Sequence, residues 1–303
     1  MFSLAKFGED AGTSALTLKA TKGTVQGLAF FNSYFCHYCF PPSAIARENE
    51  ISFDAIMGVS AGCVHGASFL SGQKGRSLRY TTKYCDNPNY MGFRSLFTTG
   101  NFFNENFCYF KLPEVLDPFD NKTFDENPTS YFVVCTDVKT GNPIYHECES
   151  LKGDKIKWLQ ASASMPLVSK IIKIDNELLL DGGISDSIPI KKMQEMGYEK
   201  NIVILTQEKG YHKKPNSLLP IIKMFYKKYP KLISAIENRH LVYNEQLEYL
   251  EEQERLGNVK ILRPSEKPQA GRTEKDKEKI INTYELGKKD ALTNLEKIKF
   301  FME

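Results

Sequence analysis

Residues 53–70 read Phe53-Asp54-Ala55-Ile56-Met57-Gly58-Val59-Ser60-Ala61-Gly62-Cys63-Val64-His65-Gly66-Ala67-Ser68-Phe69-Leu70. The run Phe53–Met57 is compact and apolar, the pattern of a buried strand, and it ends at Gly58. Ala61–Leu70 resumes as a helix rich in small residues. Between them Gly58-Val59-Ser60-Ala61-Gly62 is a GxSxG sequence. A serine on so sharp a strand-to-helix turn is exposed at the carboxyl edge of a sheet, and Gly58 and Gly62 let the backbone turn without a clash. The helix that follows aims its N-terminus at the hydroxyl and favours negative charge developing there. The same letters also suit a glycine-rich turn of any doubly wound sheet, so Ser60 is a candidate nucleophile that needs a partner.

Outward from this stretch, strands and helices alternate. Upstream, Leu16, Leu18 and Ala20 alternate in a strand over Thr13–Lys22; Lys22–Gly27 reads as a turn and Leu28–Phe40 as a helix packed on a sheet. Downstream, Cys85–Phe124 is a long excursion without clean periodicity, holding a short helix near Leu112–Leu116. Ser130–Val138 is a strong strand, and Pro143–Glu147 returns beside it. Lys155–Ser164 is helical in pattern, Ile171–Leu180 is a hairpin turning at Asp175 and Asn176, Lys191–Met196 is a helix closed by Gly197, and Asn201–Thr206 is a buried strand. This order predicts an α/β fold, three layers deep, with a mostly parallel central sheet and helices on both faces. Beyond Gln207 the composition changes. Amphipathic helices are expected over 221–229, 231–255 and 273–301, and Val259–Leu262 is expected as one more edge strand. The organisation read from this is an N-terminal tail (1–11), an α/β domain (12–207) and a C-terminal helical extension (208–303).

Bulk properties narrow the classes. A chain of 303 residues with 41% hydrophobic and 25% charged residues suits a globular protein with a buried core. A net charge of +3 is too small to argue for nucleic acid, although Lys residues lean towards the C-terminal third. The start has no basic segment leading into an apolar one, and no stretch approaches a spanning helix, so an intracellular, soluble protein is expected. Among the seven cysteines, Cys63, Cys85, Cys108, Cys135 and Cys148 mostly have apolar neighbours and suit reduced core thiols. Cys36-His37-Tyr38-Cys39 has CxxC spacing, but no second pair follows to complete a zinc site.

A serine nucleophile needs a base. Of the five histidines, His37 lies in an aromatic run, His65 one turn into the helix after the serine, His146 at a strand end and His212 in a Lys-rich loop. His240, in the C-terminal helices, is the one late candidate for a Ser-His-Asp triad. None has the setting that presents a catalytic imidazole, and each reads as structural. The alternative base is Asp181, which follows the apolar run Glu177–Leu180 and precedes Gly182 and Gly183. A carboxylate at a strand end followed by two glycines can approach another loop closely, although a DGG turn between strands looks the same. The surrounding order, Ala161-Ser162-Ala163-Ser164-Met165-Pro166 and then Leu180-Asp181-Gly182-Gly183-Ile184-Ser185-Asp186-Ser187-Ile188-Pro189-Ile190, goes beyond a plain turn.

With GVSAG (58–62), ASASMP (161–166) and LDGGISDSIPI (180–190) in this order, the chain resembles the patatin-like phospholipase family, in particular its bacterial members with a helical C-terminal extension. The resemblance runs from about Phe53 to about Thr206 and more loosely to the end. It implies a patatin-like fold and a Ser-Asp dyad, with Ser60 as nucleophile and Asp181, the aspartate of the DGG motif, as base. A direct Ser-Asp hydrogen bond in a site drained of water orients the hydroxyl and makes a carboxylate a better base. The family's oxyanion loop is Gly-Gly-Gly-x-Arg/Lys-Gly after the first strand. Its best counterpart here is Lys22–Gly27, which keeps Gly23 and Gly27 only, and the backbone N–H groups of Gly23 and Thr24 are the candidates for the oxyanion. Loss of one such donor costs about 10²–10³ in rate.

The function this implies is a serine acyl hydrolase acting on lipid esters, as a phospholipase A, a lysophospholipase or a neutral lipid esterase, without metal or cofactor. The expected partners are a phospholipid or neutral lipid ester and, peripherally, a membrane surface, with a cytoplasmic location and no nucleic acid. The Phe- and Tyr-rich segment Tyr90–Phe110 and the stretch Leu218–Tyr229 line an acyl groove, touch a membrane or are plain core; these readings stay open. The rival function is a patatin-fold protein impaired in catalysis that acts by binding lipid or protein.

Overall fold

The structure, a computed structural model, describes residues 26–30, 38, 49 and 51–303. The first described strand, β1 (Gln26–Phe30), lies parallel to β2 (Ala55–Val59), with Phe30 opposite Gly58. The turn at Ser60 leads into α1 (Ala61–Leu70), followed by α2 (Arg76–Tyr84) and α3 (Phe93–Thr99). A wide-turned helix, α4 (Phe107–Leu116), carries Pro113 inside it, and α5 (Asn121–Asp125) precedes β3 (Ser130–Asp137). Then come β4 (Pro143–Glu147), α6 (Lys157–Ser162), the hairpin of β5 (Ile172–Ile174) and β6 (Glu177–Asp181), α7 (Ile190–Glu195) and β7 (Lys200–Ile204). The C-terminal part holds α8 (Leu219–Phe225), α9 (Pro230–Arg255), β8 (Val259–Leu262) and α10 (Lys277–Met302).

The sheet runs β5-β6-β3-β2-β1-β7-β8, with β4 also paired to β3. The pairings among β3, β2, β1, β7 and β8 are parallel, whereas β4 and β6 pair antiparallel to β3, and β5 antiparallel to β6. Side chains alternate across the pleat. Ala55, Met57 and Val59 of β2 join Phe132, Val134 and Val203 on one face, covered by Ile190 and Met193 of α7 and by Tyr243 and Leu250 of α9. Ile56 joins Tyr131, Val133, Cys135, Ile202 and Ile204 on the other, covered by Cys63, Ala67 and Leu70 of α1 and by Leu286, Ala291 and Ile298 of α10. The expected three layers are present. The C-terminal region supplies one helix to each face, and β8 extends the parallel sheet beyond β7.

The sequence reading needs correction near the start. Gln26 and Gly27, read as part of a turn, and Leu28–Phe30, read as the beginning of a helix, form β1. This strand is inserted between β2 and β7 and is parallel to both. An interior parallel strand carries a short, continuous apolar run, which periodicity cannot separate from a buried helix. The strand expected over Thr13–Lys22 lies outside the described residues. The helix α2 was not expected because Arg76, Ser77, Tyr80, Thr81 and Tyr84 make up its buried face, so polar residues mask the apolar stripe.

Candidate functional site

Gly58 lies on the face of β2 that meets α1, and a Cβ there would stand 2.5 Å from the Cα of Cys63 and 2.8 Å from its nitrogen. Only glycine lets strand and helix meet so tightly, and the residue at the apex absorbs the bend. Ser60 takes φ 56° and ψ −126°, a strained combination for a residue with a side chain. Its carbonyl accepts from the Cys63 N–H at 3.0 Å, starting α1, and Gly62 is buried in the first turn of that helix. A second hydroxyl braces the bend: Ser162 at the end of α6 accepts from the Ser60 N–H at 2.8 Å and donates to the Val134 carbonyl of β3 at 2.6 Å.

Asp181 ends β6, held against the end of β3 by the antiparallel register Cys135 opposite Asp181. Its N–H donates to the Ser164 carbonyl at 2.7 Å, and its carbonyl accepts from the Thr136 hydroxyl at 2.8 Å. The next residue passes β3 at very close range: a Cβ on Gly182 would stand 2.1 Å from the Val134 oxygen. This close approach, together with the Gly183 N–H donating to Asp181 Oδ1 at 2.8 Å, turns the carboxylate towards the elbow. Its other oxygen, Oδ2, accepts a hydrogen bond from Ser60 Oγ at 2.6 Å. Both side chains are buried.

His65 lies in the wall of the cleft that holds Ser60, and His212 and His240 in the wall of the cleft that holds Asp181, while the hydrogen bond of the Ser60 hydroxyl goes to Asp181. His65 is buried on α1 with Nδ1 2.8 Å from the Ser77 hydroxyl. His146 stacks on Trp158 at 3.7 Å, and burial lowers its pKa. His240 Nδ1 lies 3.0 Å from the Glu237 carbonyl, one turn back on α9. His37 lies outside the described residues, as do Gly23 and Thr24. β1 runs parallel to β2, and Phe30, its last residue, stands opposite Gly58. Among the described residues no group of three or more His, Cys, Asp and Glu side chains could hold a metal ion.

Two clefts flank the pair. The first, of about 180 Å³, has Ser60 in its wall together with largely apolar side chains that include Tyr90, Met91, Phe103, Tyr109 and Leu112. This is where part of the aromatic segment 90–110 is found. The second, of about 460 Å³, has Asp181 in its wall together with Lys213, Arg239 and Arg272. Met165 and Arg272 belong to both, and the Arg272 guanidinium contacts the Met165 sulfur. Sequence reasoning missed three features here. Ser162 lay within a quoted motif, yet its bracing role depends on β3. Asp186, buried and raised in pKa by that burial, accepts from Tyr145 at 2.7 Å and from Gln246 at 2.6 Å, tying the DGG segment to α9. The basic wall combines residues too far apart in the chain for any local pattern to reveal.

A family model described as patatin-like phospholipase matches residues 33–193, and one described as a domain of unknown function (DUF6363) matches residues 229–303. No curated protein matches the chain. Among solved structures, VipD from Legionella pneumophila aligns with a TM-score of 0.45 and 10% identity, over 91% of this chain and 67% of that one.

Proposed function

The chain belongs to the patatin-like phospholipase family, and from that premise we propose that it is a serine hydrolase that cleaves the carboxylic esters of lipids through Ser60 and Asp181. The observation that carries this reading is the 2.6 Å hydrogen bond from Ser60 Oγ to Asp181 Oδ2, which occupies the place an imidazole takes in a triad.

In this mechanism Ser60 Oγ attacks the ester carbonyl while its proton passes to Asp181. The oxygen that becomes negative is stabilised at the amino end of α1, where the N–H of Ala61, next after the nucleophile, is its assigned donor. Collapse of the tetrahedral intermediate returns the proton to the leaving alcohol and leaves an acyl group on Ser60. Water then attacks the acyl carbonyl, again losing its proton to Asp181, and the fatty acid departs. The Gly183 N–H, bonded to the other carboxylate oxygen, holds Asp181 in place through both halves. The hydrogen bond to Asp181 orients Oγ at the strained apex of the turn, and the aromatic cleft beside it suits an acyl chain.

Contact with a membrane surface is part of the proposal. Leu218 and, on α8, Ile221, Met224 and Phe225 are exposed large apolar side chains, followed by Lys227, Lys228 and Lys231. Apolar residues beside lysines suit the boundary of an anionic lipid layer. No helix among the described residues is long and apolar enough to cross a membrane.

The test is covalent labelling with a fluorophosphonate. Ser60 of the wild-type protein is expected to carry the adduct, located by peptide mass spectrometry, and Ser60→Ala is expected to take up none. An unlabelled wild-type protein with no turnover of p-nitrophenyl esters would leave a fold that acts by binding alone.

A further inference from the structure

Phe93 and Phe97 stand four residues apart on α3, and so on one face of it, and are 71% and 84% exposed. Two phenylalanine rings held in water on one short helix are unfavourable, and such a patch marks a contact surface. The patch continues inwards. The Phe93 ring meets Phe102 edge to face at 5.9 Å, Phe102 meets Phe103 at 5.7 Å, and Phe103 meets Tyr90 at 5.9 Å. Phe103 and Tyr90 stand in the wall of the cleft that holds Ser60. Aromatic contacts therefore run without a break from the exposed face of α3 to the candidate nucleophile's cleft. Cations surround the helix. Arg94 is exposed between the two phenylalanines. At one end Lys275 Nζ lies 3.9 Å from where a Cβ on Gly92 would stand, and at the other Lys170 Cε lies 2.6 Å from where a Cβ on Gly100 would stand. The acidic side chains that flank α3 in sequence are engaged, Asp86 with Lys277 and Glu105 with the Asn101 amide. The exposed apolar residues of α8 lie across one short segment from α3. The Phe102 N–H donates to the Val168 carbonyl at 2.7 Å, and the Leu167 N–H to the hydroxyl of Tyr226, next after α8, at 3.2 Å.

We propose that α3 is a lipid anchor: Phe93 and Phe97 enter the acyl layer of an anionic membrane, and the aromatic ladder behind them guides one acyl chain of a membrane lipid to Ser60. The assignment rests on the reading of Ser60 as nucleophile, because the ladder is an entrance only if the scissile ester ends there. A lipid layer fits this face better than a protein does. A stable protein interface buries about 800 Å² on each partner, more than two phenylalanines at about 150–250 Å² each supply. A second copy docked face to face would set Arg94, Lys170 and Lys275 against their own counterparts. A bilayer takes up individual aromatic side chains, and an anionic one attracts the cations around them.

Vesicle binding by the Ser60→Ala protein, which leaves the lipid intact, tests this with phosphatidylcholine vesicles that contain or lack phosphatidylserine. Phe97→Trp in that background is expected to add emission that lipids brominated on their acyl chains quench, beyond any quenching of Trp158. Leu256→Trp is the control. Leu256 is also exposed, but it precedes β8 at the amino edge of the parallel strands, whereas Ser60 follows β2 at their carboxyl edge. Phe93→Ser combined with Phe97→Ser, checked by thermal unfolding, is expected to weaken binding to the anionic vesicles about tenfold, part of what burying one phenylalanine contributes. Quenching at position 97 no greater than at position 256 overturns the proposal, as does a double variant that binds like its parent. Equal binding to vesicles without phosphatidylserine overturns the anionic preference. A lipid-free dimer that the phenylalanine substitutions disperse in sedimentation velocity overturns the anchor too, by making α3 a contact between copies. Binding does not depend on turnover, so the two readings fail separately. Quenching at position 97 in a protein whose Ser60 fluorophosphonate does not label removes the hydrolase and keeps the anchor. A labelled Ser60 without that quenching does the reverse.

Discussion

Gly182 passes the main chain of Val134 so closely that a Cβ on it would stand 2.1 Å from the Val134 oxygen and 2.5 Å from the carbonyl carbon. Both neighbours are backbone in the middle of the sheet, where nothing yields without moving a strand. Gly182→Ala is therefore expected to destabilise the fold by about 1–3 kcal/mol, as overpacking does, and to cut ester turnover by displacing Asp181. Gly271→Ala is the control, since an added Cβ there meets nothing within 4 Å. Thermal unfolding of the pair checks this, and equal melting temperatures would contradict it.

Asp181→Asn is expected to keep the fold, because the amide oxygen can still accept from the Gly183 N–H, and to lose about 10²–10⁴ in kcat, the usual contribution of a general base. His65→Ala and His240→Ala are expected to lose far less. The comparison is made on kcat for a p-nitrophenyl ester. A His240→Ala defect larger than that of Asp181→Asn would replace the dyad by a triad.

Ser162→Ala removes the hydroxyl that links the Ser60 N–H to the Val134 carbonyl. The cost is expected at about 1–3 kcal/mol for leaving buried polar groups without a partner. The distinguishing readout is fluorophosphonate labelling, which should slow because the elbow loses its brace. Labelling at the wild-type rate with lowered stability would make Ser162 structural only.

Lys213 gives the fold a pH dependence. Its pKa of about 7 lies below the ordinary 10.5, lowered by burial and then by the guanidinium groups of Arg239 and Arg272. For stability the sign is opposite to that of an ordinary ion pair. The unfolded chain holds the extra proton between pH 7 and 10.5, so this residue's contribution improves as pH rises through that window. Thermal unfolding of wild type and Lys213→Gln between pH 6 and 10 checks this, and a difference between the two that stays flat across that range would contradict it.

What the sequence by itself determined is local geometry. Gly58, Ser60 and Gly62 specify a strand, a strained apex and a helix, because backbone sterics over five residues leave few other solutions. The apolar run before Asp181 and the two glycines after it mark a carboxylate at a strand end in the same way, and the order of the motifs carried the family resemblance. What only the tertiary structure decided is everything that depends on which strands are neighbours. β1 lies at the centre of a parallel sheet, where a continuous apolar run replaces alternation, so its letters fit a helix equally well. Gly182 is visible in the sequence as a glycine, but the reason for it is the Val134 carbonyl 48 positions earlier in the chain. Asp186 meets Tyr145 of β4 and Gln246 of α9, and Lys213, Arg239 and Arg272 line one cleft, because elements distant in the chain pack together. Contacts between elements far apart in sequence leave no periodic trace in any one of them, so only the folded chain reveals them.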